Sequence, residues 1–323
     1  MAGMVLRYSA DRRTMAWALA MPLVALAPYL WPTLATWLWP LSCYLALSAG
    51  VIAHNHNHCQ TFKSRRLNSI FGQWLSIFYG YPTFAWVPTH NLNHHKFVNR
   101  AGDATITWRY TKKHHFPMAF AFPFIAAVFQ STPTNEYIRK ARATKPALFW
   151  EIMRQYAVFI GIHVGLLSLA VGLHGWRQGL RVWLLMFAIP AVFALWTIMF
   201  FNYVQHVHTD PWSEHNHSRT FTGPVLNYVL FNNGLHTAHH ETPGAHWSAL
   251  RGLHAKVATQ IHPELVQNDF WGWCARSYLV APFNASMGTR QIGRAPYDDP
   301  SLVDGLVTAS VDASEAGVNA ARV

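Results

Sequence analysis

Three short segments of this chain concentrate imidazole side chains: His54-Asn-His56-Asn-His58, His90-Asn-Leu-Asn-His94-His95 and His236-Thr-Ala-His239-His240. Two further histidines, His206 and His208, follow a long apolar run, with Asn202 four residues before His206. Neutral imidazole is the commonest protein ligand for transition metals, so the chemistry available to these residues is metal chemistry. Nine imidazoles from four segments exceed what one ion coordinates, and two ions are the economical reading. All-nitrogen ligation suits iron, copper, zinc or nickel and gives Mg²⁺ or Ca²⁺ little reason to bind. A structural zinc site would use four ligands, typically with some Cys, yet Cys43, Cys59 and Cys274 form no CxxC pair and suggest no disulfide framework. A soluble di-iron carboxylate bundle would need paired Glu-x-x-His motifs and two more Glu. Glu214-His-Asn-His217 is the sole such motif, and the His-Glu-x-x-His of zinc proteases is absent.

The elements that position these residues are apolar helices. Half of the residues are hydrophobic and only 12% are charged. Residues 15–31, 33–53, 155–173 and 182–201 contain no Asp, Glu, Lys or Arg. About 17–20 apolar residues suffice to cross a bilayer as a helix, which predicts about four spans, the first pair forming a hairpin around Pro32. Arg7, Arg12 and Arg13 precede the first span, and residues 54–146 are rich in Lys and Arg. The positive-inside rule therefore places the N-terminus, this segment and the C-terminal third in the cytoplasm, with Arg177 and Arg181 as an exception in an outer turn. On that topology His54 emerges from the second span and His206 from the fourth on the same side. All the clusters can then converge above the bilayer. Helical spacing puts His54 with His58, His90 with His94, Asn202 with His206, and His236 with His239 and His240 on shared faces. His56 and His208 point away from those faces.

Other features carry less. His163 and His254 read as packed side chains, and His114-His115, after Lys112-Lys113, as a solvated basic patch. Segments 71–86 and 116–129 are aromatic but interrupted by Gly or Pro, and read as interfacial, with tunnel lining as a secondary use. The net charge of +11 suits contact with anionic membrane lipid; no nucleic-acid partner is implied. Lys96, Arg100 and Arg109 could hold an anionic headgroup or carrier phosphate. The tail from Ala295 is small, polar and acidic and is expected to be disordered, leaving residues 1–294 as one domain.

The three boxes, in this order and with these apolar runs, resemble those of the membrane fatty acid desaturase and hydroxylase superfamily, over about residues 48–254. The resemblance implies an all-α integral membrane bundle with a cytosolic helical cap, a non-haem di-iron centre, O₂ as co-substrate and a tunnel for an acyl chain. It implies iron ligation by His54, His58, His90, His94, His95, His206, His236, His239 and His240, with Asn202 acting through a water. His56 and His208 are extra to the pattern and are expected to support the ligands, with His208 in place of His206 left open. Metal-bound His usually donates its second N–H to a carboxylate or carbonyl. Asp103, Asp210 and Glu241 lie near boxes and are expected to serve in that way, Asp210 and Glu241 first. The leading expectation is an O₂-dependent fatty acyl desaturase, multi-pass in the membrane; an unactivated C–H bond has no acidic proton for acid–base catalysis. A hydroxylase, or a decarboxylase forming a terminal alkene, would share the same centre. A metal transporter is the remote alternative, and it would place ionisable ligands at mid-membrane depth. With no donor motif in the chain, a separate ferredoxin, rubredoxin or cytochrome b5 type carrier and its reductase are implied.

Overall fold

The computed structural model describes residues 5–299. The chain is mostly helical: α1 (Asp11–Leu30), α2 (Ala35–His58), α3 (Arg65–Tyr79), a π-helical turn (Val87–His94) running into α4 (His95–Phe97), α5 (Phe116–Thr144), α6 (Pro146–Trp183) and α7 (Ile189–His206). Short helices α8 (Pro224–Val229), α9 (His236–Glu241), α10 (Leu250–Val257) and α11 (Phe270–Ala275) follow. Two-residue strands at Thr220–Phe221 and Val266–Gln267 pair in parallel and tie the last segments together.

Four helical stretches among the described residues are long and apolar enough to cross a membrane: Asp11–Leu30, Pro32–His58, Phe116–Thr144 and Pro146–His206. The last of these holds both the expected third and fourth spans. Gly175 breaks it at φ 74°, and a Cβ on Gly179 would run into the backbone of Ala170. Nine residues of straight helix would separate those positions by about 13 Å, so the chain folds back on itself there. His174 reaches the carbonyl of Tyr29 at 2.9 Å, and Arg181 donates to Thr36 at 2.9 Å. The Gly175 bend and the α1–α2 turn therefore lie at one end of the bundle, and the histidine-bearing ends of α2 and α7 at the other.

Helix α5 departs from the expectation of a short interfacial segment over residues 116–129. It continues unbroken for 29 residues. Pro117 stands in its first turn, where a missing N–H costs nothing, and Pro123 and Pro133 are carried inside. Residues 65–79 form the amphipathic helix α3, opened by Ser64 accepting from the Leu67 N–H at 3.4 Å and closed by Gly80 at φ 87°. A Cβ at Gly80 would overlap Ala191 of α7. Gly80→Ala is therefore expected to cost about 1–3 kcal/mol from backbone strain and overlap together, read as a lower thermal-unfolding midpoint of the detergent-solubilised protein.

The start of α1 is fastened to the C-terminal segments. Buried Asp11 accepts from Trp247 Nε1 at 3.1 Å and Thr14 Oγ1 at 2.8 Å, and pairs with His246 Nε2 at 3.1 Å. Arg13 lies over the rings of Tyr228, Phe231 and Trp247. Of the tail expected to be disordered, residues 295–299 are described. Ala295 is buried and Pro296–Asp298 form a turn; residues 300–323 of that tail lie outside the described residues.

Candidate metal centre

The four histidine-bearing segments meet at one end of the bundle and sort their rings into two groups. His54, His58, His90, His95 and His239 form one, and His94, His206, His236 and His240 the other. Within each group the facing nitrogens all lie within 4.8 Å of one another. In the first, His239 Nε2 stands 3.0 Å from His54 Nε2 and 3.1 Å from His95 Nε2, which is 3.0 Å from His90 Nε2. In the second, His206 Nε2 lies 3.1 Å from that of His94 and 2.9 Å from that of His236, and His240 follows His236 at 3.1 Å.

The partition differs from the one helical spacing predicts. His90 and His94 were expected on one face; instead His90 joins His95, and His94 joins the other group. The cause is the π-helical geometry of Val87–His94. With i→i+5 hydrogen bonding the turn is wider than an α-turn, so positions five apart come into line. On α9 the i,i+4 pair His236 and His240 shares a group, while His239 faces the other.

These contacts are hard to satisfy by hydrogen bonds alone. His94 Nδ1 donates to Asp103 Oδ2 at 2.9 Å, and His206 Nδ1 donates to the carbonyl of His217 at 3.1 Å. A neutral imidazole carries one proton, so both Nε2 atoms present lone pairs, and they face each other at 3.1 Å. Burial, then the neighbouring imidazoles, push His90, His95, His236, His239 and His240 well below the usual histidine pKa. These rings are held in the neutral form that ligates metal. Nitrogens bound to one ion at about 2.1 Å and at right angles would sit about 3.0 Å apart, which is the spacing observed. The residues present fit a metal ion in each group.

Asp103 is the acid that holds a ligand candidate in place. Its Oδ2 also accepts from the Asn99 N–H at 2.7 Å, and its Oδ1 accepts from Thr105 N and Oγ1 at 2.7 Å each. Burial raises its pKa, but His94 and these hydrogen bonds outweigh that and hold it at about 2. Asp210 and Glu241, expected ahead of it, sit elsewhere. Asp210 accepts from Trp212 N at 3.1 Å and Arg294 N at 3.0 Å, and Glu241 is bonded to His215 Nδ1 at 2.8 Å. Neither touches a ring of the two groups: Asp210 is taken up by its own turn and by Arg294, and Glu241 by His215 of another segment. His56 turns to Thr61 at 3.0 Å and the Asn68 carbonyl at 3.2 Å. His208, at φ 59°, turns to Thr289 Oγ1 at 2.9 Å and the Lys112 carbonyl at 3.0 Å, so His206 and not His208 enters the group. Asn202 lies beside the second group, its amide nitrogen 3.4 Å from His94 Nε2 and its Oδ1 buried without a partner.

Several functional neighbours were not foreseen. His217 supplies the carbonyl that orients His206, and Asn99 Nδ2 and Thr209 Oγ1 donate to the His206 carbonyl at 2.9 and 2.8 Å. Fully buried Arg219 donates to the carbonyls of Val204 and Val207 at 2.6 and 3.2 Å, placing a cation where the end of α7 favours one; burial pushes its pKa down to about 10. His114 is no solvated patch. It packs on Tyr203, Trp273 and Tyr278, and burial, with Arg219 nearby, lowers its pKa to about 2. His115 caps α5 by accepting from Met118 N at 3.2 Å. Arg100 and Arg109 turn to backbone carbonyls of residues 96–104, and Arg109 also covers Phe129.

A cavity of about 410 Å³ reaches both groups. His54, His90, His94, His236 and Asn202 stand at one end, and facing residues of α5 and α7 form its walls. A family model described as fatty acid desaturase matches residues 31–271, a span that holds every histidine of both groups and the whole cavity wall. No curated protein and no solved structure matches the chain. An apolar helical bundle, two sets of converging imidazoles and a match over most of the sequence agree with one another: the chain belongs to the fatty acid desaturase family of membrane oxidoreductases.

Proposed function

We propose that this protein is an O₂-dependent fatty acyl desaturase whose two histidine groups each hold one iron ion. The observation that carries the reading is that the cavity ends against both groups at once, with His54 and His90 of one and His94 and His236 of the other on its wall. Iron bound there supplies the power to reduce O₂ and to remove hydrogen from unactivated carbon. The overall change, –CH₂–CH₂– plus O₂, two electrons and two protons to –CH=CH– and two waters, draws on a reductant from outside the chain. A small electron-carrying protein with its reductase fills that need.

The protein's own residues do the rest. Asp103 and the His217 carbonyl hold His94 and His206 with their Nε2 atoms free of protons. Tyr79, Ala85 and Trp86 line the cavity, with Trp86 stacked on His54 of the first group, and such apolar lining keeps bulk water from the reacting carbon. The histidine-bearing ends of α2 and α7 face the cytoplasm on this reading, in keeping with the lysines and arginines of residues 54–146. Hydroxylation or decarboxylation to a terminal alkene would use the same groups and differ in which C–H bonds meet the oxidant.

The test is expression in a host that supplies electron donors, followed by mass spectrometry of extracted lipids and hydrocarbons and an iron count on purified protein. New double bonds and two irons per chain are expected. Hydroxylated chains or terminal alkenes would reassign the reaction, and a metal-free, inactive protein would overturn the reading.

A further inference from the structure

Two helices contribute much of the cavity wall. On α5 the lining positions include Pro123, Ala127, Gln130 and Thr134, and on α7 they include Val192, Leu195, Met199 and Asn202; steps of three and four residues are what one helical face presents. Among the described residues, not one Lys, Arg, Asp or Glu lines the cavity. Its rim is apolar and open: Phe124 on α5 and Val192 on α7 both line it, and both are exposed, at 58% and 62%. The exposed surface on either side continues in kind, with Phe116, Phe120 and Val128 on α5 and Ile189 and Phe193 on α7. The polar groups at this rim, Tyr81 and Ser131, are uncharged.

We propose that the substrate chain enters sideways from the bilayer where the cavity is bordered by the exposed side chains Phe124 of α5 and Val192 of α7, as a membrane-dissolved alkyl or acyl chain and without a charged soluble carrier. The proposal deepens the reading above and rests on it. A polyanionic carrier such as a nucleotide-bearing thioester would need cationic partners where its phosphates lie. The cavity offers none: of the three basic residues expected to serve such a group, Arg100 and Arg109 are turned to backbone carbonyls, Arg109 also covers Phe129, Lys96 lies over Phe97, and none of them lines the cavity. A hydrocarbon chain moving from lipid into this cavity exchanges one apolar surrounding for another and needs no charge at the rim. Exposed apolar patches of this extent on a membrane-spanning helix pair face lipid or a ligand that comes from it.

The full-length protein in phosphatidylcholine vesicles provides the test. A palmitoyl-length fatty acid with a mid-chain diazirine is dissolved in the vesicles and photolysed, and labelled peptides are mapped by mass spectrometry; the coenzyme A thioester of the same chain is added to the water in a parallel arm. Labelling of the α5 and α7 peptides that contain Ala127 and Met199 by the vesicle-borne acid is expected. Ala127→Trp and Val192→Trp, each adding bulk to the cavity wall, are expected to lower it by at least about tenfold with the metal content of the chain unchanged. Labelling of those peptides by the thioester alone, or undiminished labelling in both variants, would overturn the proposal. Labelled wild-type protein that makes no oxidised lipid would defeat the functional reading and leave the portal standing. Oxidation by both tryptophan variants at the wild-type rate would do the reverse.

Discussion

His239→Ala is expected to abolish lipid oxidation, a loss of more than about 100-fold, and to reduce bound metal from two ions per chain towards one. His239 Nε2 lies within the first group, 3.0 Å from His54 Nε2 and 3.1 Å from His95 Nε2, with the rings of His58 and His90 beside it. Removing an outer partner of a metal ligand typically costs about 10–100-fold, and removing a donor from the group itself costs more. The second group, His94, His206, His236 and His240, contains no contribution from His239, so its ion is retained. Metal analysis of purified protein alongside product analysis of cell lipids checks both halves. A variant that keeps two ions and wild-type oxidation would exclude His239 as a ligand.

The second large effect concerns an acid that does not itself line the cavity. Asp103→Asn is expected to lower oxidation by about 10–100-fold, with a matching loss of metal affinity. Asp103 accepts the Nδ1 proton of His94 at 2.9 Å and so leaves the Nε2 lone pair facing His206. An amide at this position can offer its own N–H to Nδ1, which moves the imidazole proton to Nε2 and blocks the ligating atom. Asp210→Asn and Glu241→Gln serve as the contrast, and each is expected to change oxidation by less than about threefold, since neither touches a ring of either group. Rates and metal content measured side by side on the three variants decide it. Equal losses in all three would mean that local charge, and not the orientation of His94, is what matters.

The difference between these acids shows where reading residues in order runs out. Asp103 lies eight residues after His95, Asp210 four after His206 and Glu241 one after His240. Nearness along the chain ranked them in the wrong order, because a loop can fold back on a ring while an adjacent residue points away. Residues 99–105 form such a loop, with Asn99 and Thr105 turning the Asp103 carboxylate onto His94. Arg219 and the His217 carbonyl escaped notice for the same reason, since nothing in their neighbourhood marks a residue that caps or orients α7 from a distant segment.

What the amino-acid order determined by itself is the chemistry and its support. Clustered imidazoles point to metal chemistry, and uncharged runs of bilayer length point to apolar helices. The order of the boxes pointed to the family that the match over residues 31–271 establishes. Tertiary structure alone decided how the rings divide, five and four. The division depends on a π-helical turn at Val87–His94, and that geometry is set by packing around the turn and leaves no period in the sequence. The cavity between α5 and α7 was equally hidden, for its uncharged walls exist only once two helices far apart in the chain are laid side by side.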